Sequence, residues 1–313
     1  MKQNRILKQL SSKKIFILLA LITILLISSS LLEAKLPLWK IENGDNDLYL
    51  LGSVHIMPKE VYPLHAQINE VFDESEVLVV EVDATSLDQK AINSFIKQKA
   101  IFRDSTTLQD VIGEELYIEI EPILITLGFP KESIKRYRPW FIGLNLGVAG
   151  IKKLNLDLGD GIDIHFLNKA HERNMEIIEL ETATSQFEML SSSSDSVQIG
   201  QIEYAKDNYE KAGTVFLNML EAWKAGDTDS LAALSRERIK KEAKEIPSFN
   251  EYYDKLFVNR DTEFIKQIKE LMQKEDKKDY LVIVGAFHLV GEDGVIARMR
   301  EEGYTIEQLG KEE

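Results

Sequence analysis

The 313-residue chain contains no cysteine. That excludes disulfides, thiolate metal ligands, a cysteine nucleophile and a lipid-modified N-terminal cysteine. Any metal must be held by histidine, carboxylates, carbonyls or water. Positive charge is also in deficit: 38 Lys and Arg face 52 Asp and Glu, a formal net of −14. Such a chain suits a phosphate backbone poorly, so nucleic acid is not expected as a partner. There is no His-Glu-x-x-His helix, which excludes a zincin, and no nucleophile constellation built on serine. No low-complexity linker divides the chain, so residues 38–309 read as one domain with a helical insertion. Histidine is scarce, with five in the whole chain. A repeated pattern that includes two of them therefore stands out.

The first 34 residues form a separate segment. A basic head (Lys2, Arg5, Lys8, Lys13, Lys14) precedes Ile15 to Ile27, apolar apart from Thr23, and then a Ser-containing stretch that ends at Ala34. This is the order of a secretory signal peptide, with cleavage expected after Ala34. The apolar run is short for a membrane span, although residues 15–32 could serve as an uncleaved anchor. Removal leaves 33 basic and 51 acidic residues, a net of −18. The protein is expected to be exported, periplasmic or extracellular, and to meet a membrane only through that segment.

Leu48-Tyr-Leu-Leu-Gly52-Ser-Val-His55 is a short apolar run closed by Gly-x-x-His, and Tyr280-Leu-Val-Ile-Val-Gly285-Ala-Phe-His288 repeats the arrangement over 200 residues later. Strand ends collect functional side chains, and glycine lets a backbone turn sharply or approach a ligand. Both strands are expected in one sheet, with His55 and His288 in one site. Between them, Val77-Leu-Val-Val-Glu81 reads as a strand buried on both faces. A carboxylate in such a run is costly unless paired, metal-bound or at the open end of the sheet. The helical pattern from Pro63 to Glu74 makes a β-α-β unit, whose two strands should be parallel and adjacent, with His55 and Glu81 emerging at the same edge.

The remaining stretches are less pointed. Leu38–Ile41 reads as an edge strand, paired in a hairpin with Leu48–Leu51 across the Asn43–Asp47 turn cluster. His65 falls in the first turn of the helix after Pro63, and His171 on a polar helix face. Asp163 and His165, two apart on one helix, face different ways, so only one reaches a common site. Met175 to Glu181 is a short strand ending in an acid. Arg260, on a long helix from Tyr252 to Gln273, is a candidate partner for an inward-facing acid.

Taken together, Trp39-Lys, Leu48-Tyr-Leu-Leu-Gly-Ser-Val-His55, Val79-Val-Glu-Val-Asp83, Tyr137-Arg-Pro-Trp140, Gly161-Ile-Asp-Ile-His165, Leu180-Glu-Thr182, Ala222-Trp-Lys-Ala-Gly-Asp227, Asn259-Arg260 and Val284-Gly-Ala-Phe-His-Leu-Val-Gly-Glu-Asp-Gly294 resemble the TraB/GumN family, in order and from about Leu38 to Leu309. The resemblance implies an α/β (α+β) fold: a mixed sheet from two related halves, helices around it and a helical insertion. The wider group includes haem-binding ChaN-like and erythromycin-esterase-like proteins. The family includes the animal Tiki proteins, described as metal-dependent proteases that clip the N-terminal segment of a secreted signalling protein. TraB-like proteins are associated with inhibiting peptide pheromone signals. Carried over, the motif histidines fall on His55 and His288 and the strand acid on Glu81, while Asp163 and Arg260 match further family positions. At His165 the Tiki proteins carry a different residue.

The implied chemistry is a metallohydrolase acting on a peptide or protein segment. His55, His288 and Glu81 would hold a divalent cation (Mn, Co or Zn), with Asp163 as a further ligand or as the group that orients a ligand histidine. Glu81 could instead be the general base. Arg260 would neutralise Glu81 or stabilise an oxyanion. The alternatives are a peptide- or haem-binding protein of the same fold, or a metal-free ester hydrolase. Substrate, metal identity and oligomeric state are not legible.

Overall fold

The computed structural model describes residues 35–43, 46–154 and 158–310. The expected signal segment, 1–34, lies outside the described residues. The chain folds as a mixed α/β protein around a six-stranded sheet.

Two strands open the sheet, β1 (Lys35–Asn43) and β2 (Asn46–Ser53), paired as an antiparallel hairpin with Leu38 opposite Leu51 and Ile41 opposite Leu48. The hairpin is as expected. The short strands β3 (Ile56–Pro58) and β5 (Leu158–Asp160) form a separate antiparallel pair. The main sheet continues with β4 (Val77–Val80), β6 (Glu176–Glu179), β7 (Tyr280–Gly285) and β8 (Ile306–Gly310), in the order β6-β4-β7-β2-β1-β8. From β6 to β2 all neighbours run parallel, while β1 is antiparallel to both β2 and β8.

Two expectations are corrected here. β1 is not an edge strand, because β8, from the far end of the chain, pairs with its open side. β2 and β4 are parallel but not adjacent, because β7 is inserted between them. The reason lies in burial. Tyr280 to Val284 are five consecutive buried residues with no polar side to show solvent, so that strand needs neighbours and helices on all sides. Val77 to Val80 beside it are equally buried. At roughly 1.5–3 kcal/mol for each buried aliphatic side chain, this centre of the sheet contributes heavily to the fold.

The insertion puts the two Gly-x-x-His strands side by side and in register, with Gly52 opposite Val284 and Ser53 opposite Gly285. Gly52 is needed for this fit: a Cβ there would stand 3.0 Å from both Cα and Cβ of Ala286. The carboxyl ends of β2, β4 and β7 open on one edge, where parallel sheets carry their sites.

Helices fill the rest. Those between β4 and β5 build a second, smaller core around Leu108, Ile120, Leu124, Ile134 and Ile142. After β6 the helical chain breaks at the expected serines, between helix Ala183–Ser191 and helix Asp195–Asp207. The expected helix from Tyr252 to Gln273 is interrupted at its start by a π-turn, Asp254–Val258, and continues as helix Asn259–Met272. The extra residue per turn alters which face follows, a device common beside functional sites. Among the described residues, no helix is long and apolar enough to cross a membrane.

Candidate active site

Gly285 lies at the centre of the edge. A Cβ built on it would stand 3.3 Å from Glu81 Oε1, 3.5 Å from His288 Cδ2 and 3.8 Å from His55 Nε2. Three residues, the outer two 233 positions apart, thus converge on one point, which glycine leaves open.

His55 leaves β2 through Val54 and is fixed from behind. Its Nδ1 donates to Asp163 Oδ2 at 3.1 Å, which turns Nε2 towards Gly285. Asp163 is in the first turn of helix Ile162–Arg173, whose start is tied to the same loop by Ile162 N–H donating to the Val54 carbonyl. The preceding Gly161 packs so closely that a Cβ would lie 2.4 Å from the His55 carbonyl carbon and oxygen. Asp163 pushes the imidazole up to about 9, against the opposing effect of burial. The ring is 63% exposed, so water screens the pair and its contribution to stability is small.

Glu81 follows β4 directly and is fully engaged. Oε1 accepts from the Gly285 N–H at 2.7 Å. Oε2 accepts from Arg260 Nη2 at 2.6 Å and from Gln186 Nε2 at 3.1 Å. Burial favours the neutral acid, yet His288, Arg260, His55 and the Gly285 N–H outweigh it and hold the carboxyl at about 2. The cost of a buried charge is thereby offset in the manner the sequence demanded.

His288 is buried, with its ring edge-on to Phe257 and Phe264. Nδ1 is 2.5 Å from Asp261 Oδ1, and Nε2 is 2.9 Å from Arg260 Nη1. A carboxylate can only accept and a guanidinium only donate, so Nδ1 carries the hydrogen and Nε2 offers its lone pair. Arg260 is clamped from the other side by Glu181, through Nε at 2.9 Å and Nη2 at 2.8 Å. Glu181 reaches this place because its own N–H donates to the Glu81 carbonyl, continuing the β4–β6 pairing past the end of the strands.

The five residues singled out in the sequence gather at one strand edge, His55 in contact with Asp163 and Arg260 in contact with Glu81 and His288; of the two roles expected for Asp163, the position is that of the group that orients a histidine. Asp163 lies behind the His55 ring, on Nδ1, and does not share the space with Nε2. Arg260 is bonded to Glu81 and His288 at once. His165 packs against Tyr62 and Phe166, which separates it from Asp163 as the helical spacing predicts. His65 is the N-cap of helix Ala66–Glu74, one residue before its first turn, with Nδ1 accepting from Gln67 N–H. His171 is paired with Asp83 at 2.8 Å, away from the centre.

Four contributors were not recognised in the sequence: Glu181, Gln186, Asp261 and Arg236. Glu181 was noted only as a strand-end acid. Asp261, wholly buried, holds His288 Nδ1 and is itself paired with Arg236, which is 1% exposed. One signal was available, since Asp261 adjoins Arg260 in a helix; Arg236 lies in the charged run Arg236–Glu245, whose pattern does not single it out.

Two imidazoles, each with Nδ1 on a carboxylate and Nε2 turned inwards, are the donor pattern of a divalent-cation site. The arrangement does not complete it. Arg260 bonds to the two atoms a cation would need, and among the described residues no three of His, Asp and Glu stand where they could hold one ion. As arranged, the residues do not fit a bound cation.

The family model of the TraB/PrgY/gumN family matches residues 37–308. The chain belongs to that family. Among curated proteins it is 26% identical to YbaP of Escherichia coli (strain K12) over 47% of this chain and 53% of that one. It is 23% identical to a Metalloprotease TIKI homolog of Amphimedon queenslandica, over 87% of this chain and 61% of the relative. Metalloprotease TIKI1 of Danio rerio is 22% identical over 86% and 62%. The chain thus spans about half to three fifths of the length of the relatives it matches. No solved structure matches it.

Proposed function

We propose that this family member is an exported hydrolase that acts on a peptide or protein segment at the edge formed by His55, Glu81, His288 and Arg260. The observation that carries the reading is the convergence of two carboxylate-anchored imidazoles on Gly285, with an ionised Glu81 between them. The similarity to proteins named metalloproteases supports a peptide bond as the target.

In this reading His55, protonated up to about pH 9, donates from Nε2 to the leaving nitrogen. His288 Nε2 is the lone pair that takes a proton from the attacking water, which replaces the Arg260 Nη1 bond on it while the guanidinium keeps its bonds to Glu81 and Glu181. The water oxygen bonds to the carbonyl carbon, the C–N bond breaks, and one water is consumed. Glu81 remains an anion and balances the imidazolium. An apolar cavity of about 370 Å³ is lined by Phe257, Phe287, Leu144, Val148, Tyr252 and Leu256, and Phe257 is also edge-on to the His288 ring.

A second reading, peptide capture without cleavage, is favoured by the saturation of the site: both Glu81 oxygens and the Arg260 donors are already bonded within the protein. The test is incubation of the full chain with unstructured peptides of mixed sequence, read by mass spectrometry. Hydrolysis predicts new peptide ends that His55→Ala and His288→Ala both lose. Retained but intact peptides point to capture, and neither result removes both readings. N-terminal sequencing of exported material tests export: a start at Lys35 supports it, and an intact Met1 argues for an anchor.

A further inference from the structure

We infer that Arg260 holds the place of the cation in this site, so that a divalent metal and the Arg260 guanidinium exclude one another. The inference concerns occupancy and stands whether or not the protein hydrolyses anything.

The inward-facing donors are His288 Nε2 and the Glu81 carboxylate. Both already accept from one guanidinium, at 2.9 Å and 2.6 Å. A metal bonds to nitrogen or oxygen at about 2.0–2.2 Å along the same lone pairs. It cannot share those directions with an N–H, and its charge would repel the guanidinium beside it. Arg260 is not a loose side chain that drifts away. It is 11% exposed, and Glu181 grips Nε and the Nη2 that it shares with Glu81 through three contacts of 2.8–3.2 Å. Glu181 itself does not touch His288 or His55 among the contacts described; its role is to keep the guanidinium in place. Release of that grip, not supply of a further ligand, is what opens the position to a metal.

This gives Glu181 an unusual sign. Removing an acid near a cation site ordinarily weakens cation binding, because the local field becomes less negative. Here it should strengthen binding, by freeing Arg260. The experiment is Mn²⁺ titration of the full chain at neutral pH, followed by calorimetry and by electron paramagnetic resonance of unbound Mn²⁺. The proteins are the parent, Arg260→Gln, Glu181→Gln, and Arg260→Gln combined with His288→Ala. The parent should bind weakly. Arg260→Gln should bind about tenfold more tightly or better, and Glu181→Gln roughly threefold, the range of coupling between groups in contact. Adding His288→Ala should cancel the gain of Arg260→Gln. Parent binding as tight as that of Arg260→Gln overturns the inference. So does failure of Arg260→Gln to bind, a gain that survives His288→Ala, or weaker binding by Glu181→Gln. Should Arg260→Gln not fold, the sign of the Glu181→Gln change decides the matter alone.

Discussion

Asp261 Oδ1 lies 2.5 Å from His288 Nδ1, while the other oxygen of the same wholly buried carboxylate pairs with Arg236. Arg236 is in turn spread across the Phe287 carbonyl at 2.8 Å, Tyr253 Oη at 3.1 Å and Asp293 Oδ1 at 3.2 Å. The orientation of a site histidine thus rests on an ion pair buried beneath it. Replacing Arg236 by Met leaves Asp261 buried with the His288 Nδ1–H as its one remaining partner among the described contacts, and its Oδ2 unpaired. The expected cost is about 3–5 kcal/mol. The double variant Arg236→Met/Asp261→Asn should recover a large part of that loss, since the two changes act on one pair. Urea unfolding of the single and double variants measures both quantities. Strictly additive losses would show that the pair is not a unit.

The His55–Asp163 pair predicts a pH dependence with a definite sign. The folded imidazole is raised to about 9 from an ordinary 6.5, so the folded chain binds this proton more tightly than the unfolded one. The stabilisation is full below about 6.5 and is lost as the pH rises through about 9. Asp163→Asn should bring the His55 titration, followed by NMR of the ring protons, down towards 6.5. Under the hydrolase reading, the alkaline limit of activity should move down with it. An unchanged titration would mean that Asp163 does not set the charge of His55.

Glu81 has the opposite sign. Its carboxyl is depressed to about 2 from an ordinary 4.5, so its stabilisation is present above about 4.5 and disappears as the pH falls through about 2. Glu81→Gln should flatten the melting temperature over that acid range relative to the parent. It should also leave Arg260 bonded to Glu181 alone among its acidic partners. Parallel acid-melting profiles in the two proteins would remove the assignment.

Two glycines separate fold from site. At Gly161 an added Cβ meets the His55 backbone at 2.4 Å, which no side-chain rotation relieves. Gly161→Ala should cost about 1–3 kcal/mol and shift the His55 resonances. At Gly285 the backbone is ordinary for any residue, with φ −49°, and the nearest contact is the Glu81 carboxylate at 3.3 Å. Gly285→Ala should leave stability within about 1 kcal/mol of the parent while lowering turnover or peptide binding. A loss of stability at Gly285 equal to that at Gly161 would contradict this division.

The sequence by itself determined the apolar strands, the hairpin, the burial of Glu81 and the pairing of two Gly-x-x-His ends. All but the last are local: strand composition, turn chemistry and the cost of an unpartnered carboxylate act within a few residues, whereas the two Gly-x-x-His ends were matched only by their repeated pattern. The tertiary structure decided what lies beside what. It inserted β7 between β2 and β4, because five consecutive buried side chains demand a central position, and it covered β1 with β8. It placed Asp163 behind His55, and it brought Arg260, held by Glu181, into the gap where the expected cation would sit. Hydrophobic period says which face of a helix is inward, but not which carboxylate from a hundred residues away will meet an arginine there. That is settled by the charge balance of the buried edge, where each ionised group requires a partner within hydrogen-bond reach.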